Sequence, residues 1–427
     1  MRTGRASRLA GAAALVTALV VQARPAMADA GVLDSRFGTH GRVVTHFPRP
    51  GAAEAVALDG SRIVVAGTIA GTSGISSVAL ARYLASGALD RSFGDAGKVV
   101  THVGGKNSSN FVGDVAVTRG RRVLLMVFSS LRTSHSLLLR YLPDGTLDPG
   151  FGTGGKLRLD PMVFGGLLAL LPDGRILVVG GDSADISVAR LMPDGELDQS
   201  FGSGGVVTTD VGGLQNFVDD VEVQPNGRIV VTGFSYFHCK PACKDMLTLI
   251  RYLPDGDLDG HFGTGGSVQV TAGDQFPDGA GLQSNGEIVV ATSRSFGTFG
   301  CGTTDAALFR FHPNGDLDTS FGRRGQVHVS STDPHDLVVE PDDHIVIAGF
   351  QCPDRRILLS VSGFTEDGEV DGAFGPHGTG TTTVPVGPSN ASANVAALQR
   401  DGKVVAAGGT YRDLFTRNFA LVRFLKA

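Results

Sequence analysis

The sequence has no tryptophan and only four cysteines and five tyrosines among its 427 residues. No apolar run after residue 21 is long enough to cross a bilayer, which excludes a helical membrane domain in the rest of the chain. Acidic residues outnumber basic ones, and the formal net charge of −5 excludes the strongly basic surface typical of nucleic-acid binding. The sequence also lacks a nucleophile-elbow triad, a His-Glu-x-x-His motif and a phosphate-binding loop.

Glycine is abundant, with 61 residues, and the apolar residues are mainly Val, Leu, Ile and Ala in short runs. This composition is typical of many short strands joined by tight turns, and not of long helices. The chain is long enough for two or three ordinary domains or for one large closed array.

One motif, Leu/Val-Asp-x-x-Phe-Gly, occurs seven times, with successive aspartates 50 to 61 residues apart. Self-similarity at such a period indicates a repeat architecture. The motif aspartates are Asp34, Asp90, Asp148, Asp198, Asp259, Asp318 and Asp371.

Each period predicts four antiparallel strands, which we name a, b, c and d in chain order. Strands a and b are joined by an Asn-Gly or Asp-Gly turn such as Pro225-Asn-Gly227, a strong hairpin signal. The Asp-x-x-Phe-Gly stretch forms the c–d turn. Four-stranded units repeated around a ring make a β-propeller. We therefore predict an all-β, seven-bladed propeller over residues 31–427.

The two ends of this propeller are predicted to complete one another. The last repeat finishes with strand c at 419–427, whereas the N-terminal part begins with a c–d turn at 31–38 and continues with strand d. Residues about 41–47 should therefore close the last blade. The alternative is an open stack, which leaves two exposed sheet edges and is disfavoured for that reason.

Residues 1–28 have the pattern of a secretory signal peptide. Arg2, Arg5 and Arg8 precede an apolar run at 9–21, and Ala26-Met-Ala28 offers a cleavage site, with Ala28-Asp-Ala30 as the second choice. We expect a secreted monomer without a membrane span after cleavage; the alternative is an uncleaved N-terminal anchor.

The pattern Arg-Tyr-Leu-Pro-Asp-Gly-x-Leu-Asp-x-x-Phe-Gly-x-x-Gly, most complete at 140–155, resembles the bacterial delta-60 repeat family. The resemblance covers about residues 31–427. It implies a secreted or surface propeller module, and it implies no reaction. The sixth repeat departs from the pattern, since Gly363 stands where the other repeats have arginine.

The repeated aspartate has two interpretations. A ring of carboxylates could hold Ca²⁺, but calcium loops need several oxygen ligands within about a dozen residues, and each turn offers few. We favour a structural role, in which the aspartate caps the c–d turn and pairs with an arginine eight residues earlier while the phenylalanine fills the gap between blades. No cofactor is therefore predicted, with calcium as the alternative.

The loops differ between the two faces of the propeller. The a–b and c–d turns are nearly identical between repeats, whereas the b–c and d–a connections differ, so a unique ligand site should lie on the b–c/d–a face. All four cysteines fall there, and export favours disulfides. We predict the pairs Cys239–Cys243 and Cys301–Cys352; the alternative is a zinc site formed by His238 and the cysteines.

Several strands a are predicted to start with acidic residues at the mouth of the central channel. These residues could bind a cation or act as a general base; alternatively, they satisfy backbone donors of the incoming loop. The candidate ligand-binding residues are Glu54, Asp114, Asp219, Asp220, Asp278, His335 and Asp336.

The sequence therefore favours an exported binding or scaffold propeller, whose partner is a protein, a glycan or a cell-wall component. The alternative is a propeller lyase or hydrolase that uses the channel acids, with or without a metal. A histidine and carboxylates with strongly shifted pKa values at the channel would favour the enzyme. A third interpretation is an architectural role in an envelope assembly.

Overall fold

The computed structural model describes residues 30–71, 75–103, 108–130, 134–159, 166–181, 185–213, 215–236, 245–272, 275–293, 306–330, 332–387, 390–411 and 417–426. The described residues form 28 strands and two short 3₁₀ turns, Pro353–Arg355 and Pro376–Gly378. The strands are β1 (Arg42–Thr45), β2 (Gly51–Asp59), β3 (Arg62–Ala70), β4 (Ser76–Tyr83), β5 (Lys98–Thr101), β6 (Ser109–Val117), β7 (Val123–Ser130), β8 (Ser134–Tyr141), β9 (Lys156–Arg158), β10 (Leu167–Leu170), β11 (Ile176–Gly181), β12 (Asp185–Leu191), β13 (Val206–Asp210), β14 (Gln215–Val223), β15 (Ile229–Tyr236), β16 (Asp245–Tyr252), β17 (Ser267–Thr271), β18 (Phe276–Leu282), β19 (Ile288–Ser293), β20 (Ala306–Phe311), β21 (Gln326–Val329), β22 (Asp333–Val339), β23 (Ile345–Gln351), β24 (Leu358–Phe364), β25 (Thr381–Val384), β26 (Asn390–Leu398), β27 (Val404–Tyr411) and β28 (Arg417–Phe424).

These strands make seven antiparallel sheets of four, which confirms the predicted seven-bladed propeller. Blades 1 to 6 are each made of four consecutive strands, from β2–β5 to β22–β25. Blade 7 consists of β26, β27, β28 and β1, so the N-terminal strand closes the ring as predicted. No helix among the described residues has the length and apolar character needed to cross a membrane.

The hydrophobic core lies between the blades. The described residues form seven apolar clusters, and each one joins two neighbouring blades. Val64 and Ala66 of blade 1, for example, pack with Val123 and Leu125 of blade 2 around Phe93. A four-stranded sheet cannot bury both of its faces alone, so each blade depends on its neighbours.

The repeated motif links each blade to the next. In blade 1, Asp90 Oδ1 accepts a hydrogen bond from the Ser92 backbone nitrogen at 3.1 Å, and Asp90 Oδ2 accepts one from Arg82 Nε at 3.0 Å. Arg82 Nη1 then donates to the Pro143 carbonyl of blade 2 at 2.7 Å. The aspartate therefore caps its own turn and orients an arginine that reaches the neighbouring blade.

The phenylalanine of the motif fills the same junction. Six strand-c arginines hold Cζ 4.3 to 4.6 Å from the centre of the motif ring, an arrangement that adds cation–π attraction to burial. These arginines are Arg82, Arg140, Arg190, Arg251, Arg310 and Arg423. Their phenylalanine partners are 0% exposed.

The glycine that follows the phenylalanine is required by its conformation and its surroundings. Gly94 has φ +54°, and a Cβ atom there would lie 2.2 Å from the Lys98 carbonyl oxygen. Its backbone nitrogen donates to the Asp144 carbonyl of the next blade at 2.6 Å. Any larger residue would push this backbone contact apart.

Ring closure rebuilds a c–d turn from two chain segments. Leu425 donates to the Val32 carbonyl at 2.8 Å and accepts from the Gly31 nitrogen at 3.0 Å. The continuous turn of blade 1 has the same pair of bonds between Leu84 and residues Ala88 and Gly87. β1 then pairs with β28 from Arg42 opposite Val422 to Thr45 opposite Phe419.

Candidate functional site

The candidate ligand-binding residues predicted from the sequence all line one cavity. The cavity has a volume of about 210 Å³, and its wall contains residues from the innermost strand of every blade. Because all seven innermost strands contribute, the cavity lies on the axis of the ring, and we call it the axial cavity. Its acidic and histidine residues are Glu54, Asp114, Asp219, Asp220, Asp278, His335 and Asp336.

These residues were expected to start their strands, but they lie within them at β-bulges. The pairing of strands a and b shifts register around Glu54, Asp219, Asp278 and His335, and between Val112 and Val115 in blade 2. A bulge places one extra residue on the inner strand and redirects its side chain. Blades 1, 2, 4, 5 and 6 thereby supply polar side chains to the axis.

Three of the aspartates tie neighbouring blades together. Asp114 accepts hydrogen bonds from Val115 in its own strand at 2.6 Å and from Leu168 in blade 3 at 2.9 Å. Asp220 bonds in the same way to Ala280 of blade 5 at 2.8 Å, and Asp336 to Ala396 of blade 7 at 2.7 Å. The predicted structural role therefore applies to these three, although the donors belong to the neighbouring strand and not to an incoming loop.

Asp219 and Asp278 differ from these three aspartates. The Oδ2 atom of each is buried and has no hydrogen-bond partner. Burial raises the pKa of both carboxyl groups well above the ordinary value, and the charge of Asp219 adds to the effect on Asp278. The Asp278 carboxyl group also accepts a hydrogen bond from Ser293, which partly offsets the effect of burial. A buried oxygen without a donor is costly, so Asp219 Oδ2 and Asp278 Oδ2 are two free acceptors in the described part of the cavity.

The other ionisable groups of the cavity are also strongly perturbed. Burial raises the pKa of Glu54 and of Asp114 to about 7, although Thr68 donates to Glu54 at 2.6 Å. Burial lowers the pKa of His335 to about 4, so this imidazole is neutral at neutral pH. The described lining residues include no lysine or arginine. The described lining therefore supplies no countercharge for these carboxyl groups, although the charge of Arg417, which is not among the lining residues, acts to lower the pKa of Glu54.

Two further polar residues belong to this region and were missed in the sequence. Burial, followed by the charges of Asp220 and Asp336, raises the pKa of Glu222 to about 8. Asn394 sits at the bulge of blade 7 and donates to the Ala53 carbonyl of blade 1 at 2.8 Å. Glu222 follows Asp220 by two residues, and residues with this spacing in a strand point to the same side, so the sequence contained a signal for Glu222. Nothing in the local sequence pattern indicates that Asn394 belongs to this region.

The motif aspartates lie away from the axis, in the c–d turns. Hydrogen bonds from Ser200, its hydroxyl foremost, lower the pKa of Asp198 to about 2, and Arg190 adds to them. In the six blades with a strand-c arginine, both oxygens of the motif aspartate already accept hydrogen bonds. This arrangement leaves little capacity for the calcium ring considered above.

One described cluster, at the a–b and c–d turns of blade 5, has the residue types of a metal site. Ligand atoms of Glu287, His312 and Asp318 all lie within 4.8 Å of one another. Arg310, however, lies 2.6 Å from Glu287 Oε2 and 2.7 Å from Asp318 Oδ2. The guanidinium already supplies the positive charge, so this cluster does not fit a metal ion.

The predicted disulfides fall mostly outside the described residues. Cys239, Cys243 and Cys301 lie there, and Cys352 follows β23 in the described part. The pairing stays a prediction. All internal segments outside the described residues belong to b–c or d–a connections, so the face with differing loops is described only in part.

Comparisons with known proteins support the architecture. Residues 61–93, 130–151, 171–201 and 283–321 match the model of a family described as "Domain of unknown function (DUF5122) beta-propeller". No curated protein matches the chain. The matched segments cover parts of four repeats, and each ends at the motif phenylalanine.

Solved structures with similar folds are distant in sequence. A protein of unknown function from Dyadobacter fermentans DSM 18053 is 13% identical, with a TM-score of 0.46 over 91% of this chain and 98% of that one. A PL25 ulvan lyase is 10% identical, with a TM-score of 0.48 over 89% and 96%. The propeller domain of the Trilobed protease from Pyrococcus furiosus is 9% identical, with a TM-score of 0.44 over 88% and 96%. Likenesses this distant carry no functional argument. The chain is a seven-bladed β-propeller of repeated blades, similar in four segments to a propeller family of unknown function.

Proposed function

We propose that this protein is an exported binding propeller whose axial cavity takes a cationic ligand. The observation that carries the proposal is the pair of buried, unpartnered oxygens, Asp219 Oδ2 and Asp278 Oδ2, in a cavity whose described lining has no lysine or arginine. A cation would restore the countercharge that burial denies these carboxylates.

The size of the cavity limits the ligand. About 210 Å³ corresponds to roughly seven water molecules at about 30 Å³ each. A calcium ion that keeps part of its water shell fits this volume and prefers oxygen ligands. A small organic ammonium ion is the other cation of suitable size.

Titration calorimetry with calcium chloride and, separately, with spermidine tests the proposal. The Asp219→Asn/Asp278→Asn double variant should bind at least tenfold more weakly than the wild type. Asp144→Asn, which changes an exposed turn, serves as the matched control and should bind normally. Equal affinity in the double variant, or no binding of either cation by the wild type, would refute the proposal.

We further propose that the repeats are of the delta-60 type and that the b–c/d–a face binds a protein, glycan or cell-wall partner. The resemblance of the motif supports the first statement, and the sequence differences between these loops support the second. Pull-down from culture supernatant with the purified protein tests the partner. Recovery of no partner above a heat-denatured control would count against this role.

An acid–base enzyme is the second candidate function. Glu54, with a pKa of about 7, and the neutral His335 line the same cavity, and this was the feature expected to favour an enzyme. A lyase or hydrolase would use one group to donate a proton and the other to accept one. Screening polysaccharides with the wild type and with Glu54→Gln tests it. Turnover that survives in Glu54→Gln would exclude this role for Glu54.

A further inference from the structure

The junction that leads out of blade 6 lacks the strand-c arginine found at the other six junctions. Elsewhere a strand-c arginine bonds to the motif aspartate, as Arg423 Nε does to Asp34 Oδ2 at 3.1 Å. In blade 6 this arginine is replaced by Gly363. A Cβ atom on Gly363 would lie 2.4 Å from Cγ of Phe374, because the motif ring has moved into that space.

The partners that would hold the missing guanidinium are still present. In blades 5 and 7 the arginine Nη1 is 3.5 Å from a glutamine at the end of strand a, Gln283 or Gln399. The corresponding residue in blade 6 is Glu340, an acid. Glu340 is 2% exposed, and its Oε2 atom has no hydrogen-bond partner.

The motif aspartate of blade 6 is similarly incomplete. Asp371 Oδ1 caps its turn by accepting from the Ala373 nitrogen at 2.8 Å, as in every blade. Its Oδ2 atom, which bonds to arginine elsewhere, faces His344 Nε2 at 4.0 Å. His344 stands at the start of strand b, where blades 1 to 4 have Arg62, Arg122, Arg175 and Arg228.

In blade 6, Gly363 therefore stands at the strand-c arginine position and His344 at the arginine position that precedes strand b. Neither residue carries a permanent charge, and the buried acids Glu340 and Asp371 lie beside them. Lys426 Nζ lies 3.9 Å from the more exposed Asp342, whose Oδ1 is 3.5 Å from His344 Nδ1. The charge of Lys426 acts on Glu340, but this lysine donates no hydrogen bond to Glu340 Oε2. The neighbouring blade 5 keeps Arg310 in the equivalent place.

We propose that Glu340, His344 and Asp371 form a binding site for a divalent transition-metal ion. A neutral imidazole nitrogen and two carboxylate oxygens suit zinc or manganese better than calcium, which prefers oxygen alone. The ion would take the place of the guanidinium. Among the described residues, only the blade 5 trio has all its ligand atoms within 4.8 Å of one another, so binding in blade 6 requires side-chain movement that brings its three ligand atoms closer together.

Two substitutions test the site by making blade 6 resemble other blades. His344→Arg supplies the arginine found in blades 1 to 4, and Glu340→Gln supplies the glutamine found in blades 5 and 7. Both residues already occur at equivalent positions, so the variants should fold, and circular dichroism checks this. Zinc and manganese are counted by elemental analysis after equilibrium dialysis of the full-length mature protein.

The wild type should bind one ion more than either variant, and zinc should raise its melting temperature but not that of His344→Arg. Subtracting the number of ions bound by a variant from the number bound by the wild type removes ions held elsewhere, including any held by the cysteines. An equal number of ions bound by the wild type and by a folded variant would overturn the proposal, as would the absence of binding to the wild type. None of the three proposed ligands lines the axial cavity. The difference in ion count should therefore be unchanged in an Asp219→Asn/Asp278→Asn background.

Discussion

Arg423 and Asp34 come from opposite ends of the chain and form a buried ion pair, with Nη2 of the arginine 2.8 Å from Oδ2 of the aspartate. The same arginine donates to the Ala85 carbonyl of blade 1 at 2.6 Å. One side chain therefore joins the last strand c, the N-terminal turn and the first blade. This contact contributes to ring closure together with the pairing of β1 and β28.

Arg423→Ala should lower the free energy of unfolding by about 3–5 kcal/mol, because it leaves the Asp34 carboxylate buried without its partner. Arg62→Ala is the matched control. Arg62 also bonds to a motif aspartate, at 3.0 Å, but its side chain is 34% exposed, so its loss should cost about 0–1 kcal/mol. Urea denaturation of both variants measures the difference, and equal losses would contradict a closing role for Arg423.

Gly94→Ala should destabilise the protein by more than about 3 kcal/mol, because the added methyl group meets the Lys98 carbonyl at 2.2 Å and the backbone must move. Gly60→Ala provides the comparison. Gly60 also has a positive φ, +63°, but a Cβ there meets nothing within 4 Å. Its substitution should cost only the conformational strain, about 1–2 kcal/mol. Similar melting temperatures for the two variants would show that the junction tolerates the methyl group.

Stability without added cations should fall as the pH rises from about 5 to 8. The folded-state pKa of Glu54 and of Asp114 is raised to about 7, so their contribution is fully present below the unfolded-state values and is lost as pH rises through 7. His335 acts in the opposite direction between pH 4 and 6.5, since its pKa is lowered. Because His335 is one group and several acids act in the other direction, the net stability should still fall with rising pH.

Thermal melts across this pH range measure the effect. The Asp219→Asn/Asp278→Asn variant should show a shallower fall, because these two residues no longer titrate. Asp90 and Asp198 do not interfere, since their lowered pKa, about 2 for each, makes their contribution change only below about pH 4. An unchanged slope in the variant would mean that the cavity acids do not govern this dependence.

Cleavage of the predicted signal peptide should occur after Ala28 and not after Ala30. Ala30 is 3% exposed, and its carbonyl accepts a hydrogen bond from the Gly375 nitrogen at 2.6 Å, in the place of a c–d turn residue. Cleavage after Ala30 would remove this contact. N-terminal sequencing of the secreted protein should therefore begin at Asp29, and a start at Gly31 would show that the contact is dispensable.

The parts of the fold that repeat could be predicted from the sequence. The motif recurs because every junction needs the same turn, so the position of Asp34 and Phe37 within the repeat is enough to assign the N-terminal turn to the last blade. The eight-residue spacing between Arg82 and Asp90 likewise indicated the ion pair that the structure contains.

The chemistry of the axis was harder to predict. The bulge at Asp219 breaks the alternation of strand β14, so only the second half of the strand was evident in the sequence. Asp219 and Asp220 are neighbours of the same type, yet one is unpaired and the other bonds to blade 5. That difference depends on the register between blades, which no local pattern encodes.

The central claim is that the axial cavity binds a cation through Asp219 and Asp278, and the pH dependence of calcium affinity tests it most directly. Calcium must displace protons from carboxyl groups whose pKa is raised, so affinity should be at least tenfold higher at pH 8 than at pH 6. The double variant should lose both the affinity and its pH dependence. Calcium binding that is equally strong at both pH values, or that persists in the double variant, would contradict the account.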